Sequence, residues 1–336
     1  MANNTPPARR VLRQSNVRLH DLKPHLADMR EEVLSGLAAS PRFISPKYFY
    51  DQRGSELFEA ITRIPEYYPT RSEMRILEDN LDVICELLGR DSVLLEYGSG
   101  SSRKIRLLLE GLQPLAYLPV DISREHLLEA AEALTRDYDW LEIHAVCADY
   151  AAGFELPWRP PPRGGRPVPV TAFFPGSSIG NFERPAAARF LAGVRHTIGS
   201  GNRLLIGVDR RKSPAVLEAA YDDPNGVTAA FNRNVLTHLN QALDGDIDVD
   251  AFDHLARYDE PAGRIEMYLV ARRAVEFELA GQHFALAAGE RIHTENSYKY
   301  APDEFAALAD GAGFSVVREW TDPEQMFSVF ILEARD

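Results

Sequence analysis

Apolar residues recur along this chain with helical or strand-like spacing, and the spacing changes with position. Near the start, helical patterning begins at Leu22, and Leu26, Met29, Val33 and Leu37 continue it. Ser55–Ile64 predicts a second helix, with Leu57, Phe58, Ile61 and Ile64 on one face. Two prolines should hold Pro65–Pro69 out of helix before a further helix over Glu73–Leu88. From residue 93 short apolar runs predict strands at Val93–Tyr97, Ala116–Val120, Ile143–Cys147, Val170–Phe174 and Arg203–Val208. Helical stretches at Ile105–Leu109, Leu127–Leu134 and Ala186–Ile198 separate several of them, and the Pro/Gly/Arg-rich stretch 158–169 reads as an exposed loop.

Strands alternating with helices imply an α/β fold with a doubly wound, Rossmann-like parallel sheet. After Asp209 the alternation stops. Ser213-Pro214 reads as an N-cap with proline at the first helical position, followed by a long helix over Thr228–Leu243. Ile265–Arg272 and Ala274–Leu279 read as an antiparallel pair. Pro302–Glu304 opens a last helix that Gly311 ends, and Phe314–Trp320 and Phe327–Ala334 are closing strands. The expected organisation is a polar, disordered segment 1–10, a ligand-binding sheet domain from 74–209 plus 299–336, and a second α+β lobe from 11–73 plus 210–298.

Composition narrows the class. Hydrophobic residues make up 45% of 336, enough for a sizeable core. A net charge of -13 argues against general affinity for nucleic acid, which depends on neutralising phosphates. No run approaches the length of a membrane span, and the first residues carry no apolar signal segment. A cytoplasmic monomer without nucleic-acid or membrane partners is expected. Cys85 and Cys147 sit in apolar stretches and read as buried free thiols. No Cys/His cluster has metal spacing, so no metal is implied, and the nine histidines form no coherent constellation.

The candidate chemistry begins at Glu96-Tyr97-Gly98-Ser99-Gly100, between a predicted strand and a helix start. Glycine there lets the backbone turn sharply and approach a ligand. Arg103 stands where a dinucleotide fingerprint wants a third small residue. S-adenosylmethionine has no pyrophosphate to seat on the helix N-terminus and does not need that residue. Asp121, ending the next strand, can accept both ribose hydroxyl protons or simply cap a helix. Asp149-Tyr150 ends the third strand, suited to an adenine amine and its ring face. Acids and glycines at the carboxyl ends of successive strands together define a nucleoside crevice. Asn181, after the fourth strand, offers both a carbonyl and an amide donor to an acceptor molecule; alone it also suits a left-handed turn.

Tyr48–Asp51, Pro65–Arg71, Leu95–Lys104, Gly176–Asn181, Tyr221–Asn234, Arg264–Met267 and Thr294–Ser297 keep their order along the chain. Through these segments, from about residue 20 to the end, it resembles the histidine Nα-methyltransferases of ergothioneine biosynthesis. The resemblance implies trimethylation of the α-amine of L-histidine to hercynine, with S-adenosylmethionine as donor and S-adenosylhomocysteine as product. The wider family also includes fungal enzymes acting on prenylated tryptophan. Position by position, the resemblance makes Gly98, Gly100, Lys104, Asp121, Asp149 and Tyr150 cofactor contacts. It makes Tyr50, Tyr67, Asn181, Tyr221, Met267, Glu295, Asn296 and Ser297 substrate contacts, with Glu295 and Ser297 reading the imidazole. Tyr50 and Asn181 are the candidates for orienting the amine. Asn296 departs from the small apolar residue expected there, and Pro175 and the long 158–169 loop are further departures.

Overall fold

The computed structural model describes residues 16–22, 29–99 and 103–336. The expected disordered segment 1–10, Leu26 and Gly100 lie outside the described residues. The chain opens with β1 (Val17–Asp21), α1 (Met29–Ala38), β2 (Arg42–Phe43), α2 (Gln52–Ile61) and α3 (Tyr68–Leu88). Val33 and Leu37 are buried on α1, as their spacing predicts. α3 starts at Tyr68, not Glu73, with Pro69 in its first turn. Proline's missing N–H is no loss there, because a helix start leaves its first N–H groups unpaired anyway.

The middle of the chain gives β3 (Val93–Tyr97), α4 (Arg103–Leu112), β4 (Ala116–Asp121), α5 (Arg124–Asp137), β5 (Ile143–Cys147), β6 (Val170–Phe174), α6 (Arg184–Ile198) and β7 (Arg203–Asp209). Every residue of β3, β5 and β6 is buried, as expected of parallel strands covered on both faces. Next come α7 (Pro214–Tyr221), α8 (Val227–Leu243), β8 (Phe252–Asp259), β9 (Arg264–Ala271), β10 (Val275–Leu279), β11 (Gln282–Leu286) and β12 (Arg291–Tyr298). The chain closes with α9 (Pro302–Gly311), β13 (Phe314–Thr321) and β14 (Phe327–Ala334).

The large sheet has eight strands in the order β1-β5-β4-β3-β6-β7-β14-β13. β1, β5, β4, β3, β6 and β7 pair in parallel, whereas β14 runs antiparallel to both β7 and β13. The order of strands reverses between β3 and β6, which opens a crevice at their carboxyl ends. One face packs Leu95, Val120, Phe174 and Phe190, and the other packs Leu94, Leu109, Tyr117 and Phe173. β1 is a strand that the apolar pattern does not announce. Its ladder with β5 makes it part of the large sheet, although 11–73 was expected in the second lobe. His20 on β1 stacks on His144 of β5, with Nε2 and Nδ1 2.9 Å apart. Trp158 stacks on the other side at 3.8 Å, so two histidines do form a cluster and the 158–169 loop is anchored at its start.

A second sheet, β2-β12-β9-β8, carries its own core of Phe49, Phe231, Leu236, Ile265, Leu269 and Ile292. β9 and β10 are not partners, contrary to the sequence expectation. β9 lies between β12 and β8, and β10 pairs with β11. Cys85 and Cys147 are free and buried. Among the described residues no helix is long and apolar enough to cross a membrane.

Asp51 ties this second core together. Its Oδ1 accepts from the Gly54 N–H at 2.6 Å, capping α2, and from Asn234 Nδ2 of α8 at 2.8 Å. Asp51→Ala is expected to lower stability by about 1–2 kcal/mol, seen as a reduced urea midpoint with unchanged slope. An unchanged midpoint would show that the cap contributes nothing.

Candidate active site

A cavity lies between the second core and the carboxyl ends of the large sheet. Tyr50, Phe58, Tyr67, Tyr221 and Phe231 supply aromatic walls, while Asn181, Met267, Glu295 and Ser297 contribute polar and apolar positions. Local chemistry sets each wall. Tyr67 immediately precedes α3, and its ring meets Tyr221 edge-on at 6.1 Å. Tyr50 ends a 3-10 turn over Pro46–Phe49 and stands at the rim, 44% exposed. Asp223 accepts from the N–H groups of Val227 and Thr228, which starts α8 and brings Thr228 and Phe231 to the cavity. Gly180 lets the turn Ser178–Asn181 lie on β12, since a Cβ there would stand 2.6 Å from the Tyr298 carbonyl oxygen. Ser177 has a left-handed φ of 61°, and its Oγ accepts from the Asp209 N–H at 2.8 Å.

Strand alternation decides which β12 side chains enter. Glu295 and Ser297 line the cavity, whereas Asn296 points to the opposite face, as neighbours on a strand must. There the Asn296 Oδ1 accepts from His293 Nε2 at 2.9 Å, and its Nδ2 donates to Glu183 at 2.8 Å. Its side chain therefore does not reach the substrate position that the resemblance implies for it. Met267 lies directly across the ladder from Glu295.

Behind the cavity is a buried charge network that the sequence reading did not single out. The Asp209 carboxylate accepts from Tyr68 Oη at 2.8 Å, Lys212 Nζ at 2.5 Å and Lys299 Nζ at 2.7 Å. Burial alone would raise the Asp209 pKa, but Lys299 and Lys212 more than offset it and hold it below the ordinary value. Lys299 also donates to Tyr221 Oη and Ser297 Oγ, both at 2.9 Å, and those two oxygens are 2.8 Å apart. The Tyr221 carbonyl accepts from His254 Nε2 at 2.8 Å, while His254 Nδ1 bonds Asn232. Period-two spacing was the available signal for Lys299, which follows Glu295 and Ser297 on the same parity.

The Glu295 carboxylate differs from Asp209. It is buried, and only the charge of Lys299 favours its ionised form. Burial outweighs that attraction and lifts its pKa from 4.5 to about 7.

Gly98, Lys104, Asp121, Asp149 and Tyr150 stand at the carboxyl ends of β3, β4 and β5 or in the segments that follow them. Gly98 has a φ of 71°, and an added Cβ would meet Tyr150 Oη at 3.6 Å. The Tyr150 ring packs against Tyr97, Phe174 and Phe190. Asp121 accepts from the Ser123 N–H at 2.9 Å, and Asp149 caps its own turn through the Ala151 N–H at 3.0 Å. Lys104 is buried in a 2.5 Å pair with Glu73, which also accepts from the Gly176 N–H. Glu96 Oε1 and Ser99 Oγ are buried without a hydrogen-bond partner among the described residues. Unpaired polar atoms beside a tight glycine turn fit a ligand that carries its own amine and hydroxyl donors.

A family model described as histidine-specific methyltransferase, SAM-dependent, matches residues 29–334. Histidine N-alpha-methyltransferase of Mycobacterium tuberculosis is 43% identical over 304 residues, covering 89% of this chain and 92% of that protein. The Mycolicibacterium smegmatis protein of the same name is 41% identical, covering 90% and 93%. Ergothioneine biosynthesis protein 1 of Neurospora crassa is 33% identical, covering 84% of this chain and 32% of that longer protein.

The raised Glu295 pKa has a definite sign. Its folded value exceeds its unfolded value, so the ionised carboxylate opposes folding increasingly as pH rises from 4.5 through about 7. Glu295→Gln should therefore stabilise the ligand-free protein at about pH 8 by on the order of 2–3 kcal/mol, and much less near pH 5. Thermal melts at the two pH values check this, and equal differences at both would contradict it.

Proposed function

This chain belongs to the histidine-specific, SAM-dependent methyltransferases, and from that membership we propose that it trimethylates the α-amine of L-histidine to hercynine, the opening step of ergothioneine biosynthesis. The observation that carries the acceptor assignment is Glu295: a buried carboxylate with no hydrogen-bond donor among the described residues, beside the Ser297 hydroxyl, in an aromatic-walled cavity. An imidazole ring brings N–H donors and can take a positive charge, both of which such a carboxylate rewards.

Gly98, Asp121, Asp149 and Tyr150 would hold the donor, with Lys104 beside the crevice; Gly100 belongs to the same glycine turn. When bound, S-adenosylmethionine supplies a methyl group already activated by its sulfonium. The protein's contribution is then orientation and exclusion of water. An α-amine titrates near ~8, so a neutral fraction exists at pH 7 without a strong general base. Asn181 and Tyr221 anchor the substrate carboxylate, and Tyr50 or Asn181 directs the amine lone pair towards the crevice while water takes the proton. Tyr67 and Met267 bound the substrate between these ends. The aromatic walls also suit the cationic ammonium that forms as methyl groups accumulate.

A tryptophan-like acceptor is the second reading within the same chemistry. It fits less well, because an indole N–H satisfies the carboxylate only in part and a prenyl group not at all. A protein that binds the donor without turnover would not need Asn181, Tyr221 and Glu295 around one cavity.

Incubation with histidine, its N-methyl and N,N-dimethyl forms and tryptophan, read by mass spectrometry, should give one trimethylated product from the three histidine substrates. Methylation of none of the three would reject the assignment. Glu295→Ala is expected to weaken histidine binding by roughly 1–3 kcal/mol while calorimetric binding of S-adenosylhomocysteine stays near that of the unmodified protein. Equal losses of both would reject the role of Glu295.

A further inference from the structure

Lys299 is fully buried, lies just past the end of β12 and reaches the back of the cavity. An ammonium has three hydrogens. Here they go to Asp209 Oδ2 at 2.7 Å, Tyr221 Oη at 2.9 Å and Ser297 Oγ at 2.9 Å. None is left for a ligand. The Tyr221 and Ser297 oxygens, 2.8 Å apart, also share one hydrogen bond between themselves. Two hydroxyl groups carry two hydrogens, and one is consumed in that bond. The pair therefore keeps a single O–H to direct into the cavity, and both oxygens are already held as acceptors by Lys299.

We propose that Lys299 is a positioning residue for the acceptor: it fixes the positions of the Tyr221 and Ser297 hydroxyl groups and takes up a lone pair on each, so that the pair meets the amino-acid substrate with one donor and otherwise lone pairs. This deepens, and rests on, the assignment of histidine as acceptor. When the substrate carboxylate takes the remaining hydrogen from Tyr221, Ser297 donates to Tyr221 and faces the ring as an acceptor. Glu295 is the second acceptor. A ring with N–H on both nitrogens then satisfies both. Asp209, Lys212 and Tyr68 hold Lys299 in place from behind, with Lys212 Nζ 2.6 Å from Tyr68 Oη. Without Lys299, the hydroxyl pair loses the shared donor that holds both oxygens and is free to rotate away.

The test is a double-mutant cycle on methylation kinetics using Lys299→Met, Ser297→Ala and the two combined. Lys299→Met should raise the KM for histidine about tenfold or more, with S-adenosylhomocysteine affinity within about threefold of the unmodified protein. Ser297→Ala should cost much less in the Lys299→Met background than alone, because the serine is then no longer held as an acceptor. If Lys299→Met does not fold, Asp209→Asn/Lys299→Met removes both charges and carries the same comparison. Equal cost of Ser297→Ala in both backgrounds, or parallel loss of histidine and S-adenosylhomocysteine binding, would overturn the role of Lys299 while leaving histidine as the acceptor. Failure of the unmodified protein to methylate histidine would overturn both.

Discussion

The buried carboxylate of Asp209 is the constraint on which the site depends. It ends β7, so the large sheet fixes its position. Its N–H holds Ser177 in a left-handed turn, and its carbonyl accepts from the Tyr300 N–H at 3.0 Å. Its carboxylate gathers Tyr68 from α3, Lys212 from the segment before α7 and Lys299 from the end of β12. One ionised group thus joins four chain segments that converge on the cavity. Desolvating such a group is expensive, and only closely placed partners offset the cost. The partners here are the elements that must be in register for the cavity to exist.

Much of the large sheet was legible because a strand buried on both faces is a continuous apolar run. Val93–Tyr97, Ile143–Cys147 and Val170–Phe174 were read with their ends intact. β1 was missed because Arg18 is exposed and His20 only partly buried, and both break the apolar run. β12 was missed for a more instructive reason. Its sequence, RIHTENSY, looks like a polar loop because the residues that line the cavity have replaced the apolar residues of an ordinary core strand. Function disguised the element that carries it. The Pro69 start of α3 and the stacking of His20 on His144 were illegible for another reason: the first depends on local helix geometry, and the second joins residues 124 positions apart.

Most of the candidate site residues came from spaced motifs, and the structure brings Tyr50, Tyr67, Asn181, Tyr221, Met267, Glu295 and Ser297 to one cavity. The residues that orient them were not legible in the same way. Lys299, Asp209 and His254 support the cavity wall from behind, and of these only Lys299 carries a spacing signal, its period-two relation to Glu295 and Ser297. Asn296 shows the complementary error, since adjacency in sequence on a strand means opposition in space.

That opposition also divides labour on β12. The odd-numbered Glu295 and Ser297 face the cavity. The even-numbered Asn296 and Tyr298 bond Glu183 at the start of α6, as does Arg264 from the neighbouring strand. Cavity lining and attachment to α6 thus occupy alternate letters of one short word. The odd letters can therefore be rewritten to reshape the cavity while the even letters keep β12 tied to α6, so this strand can change its lining without coming apart.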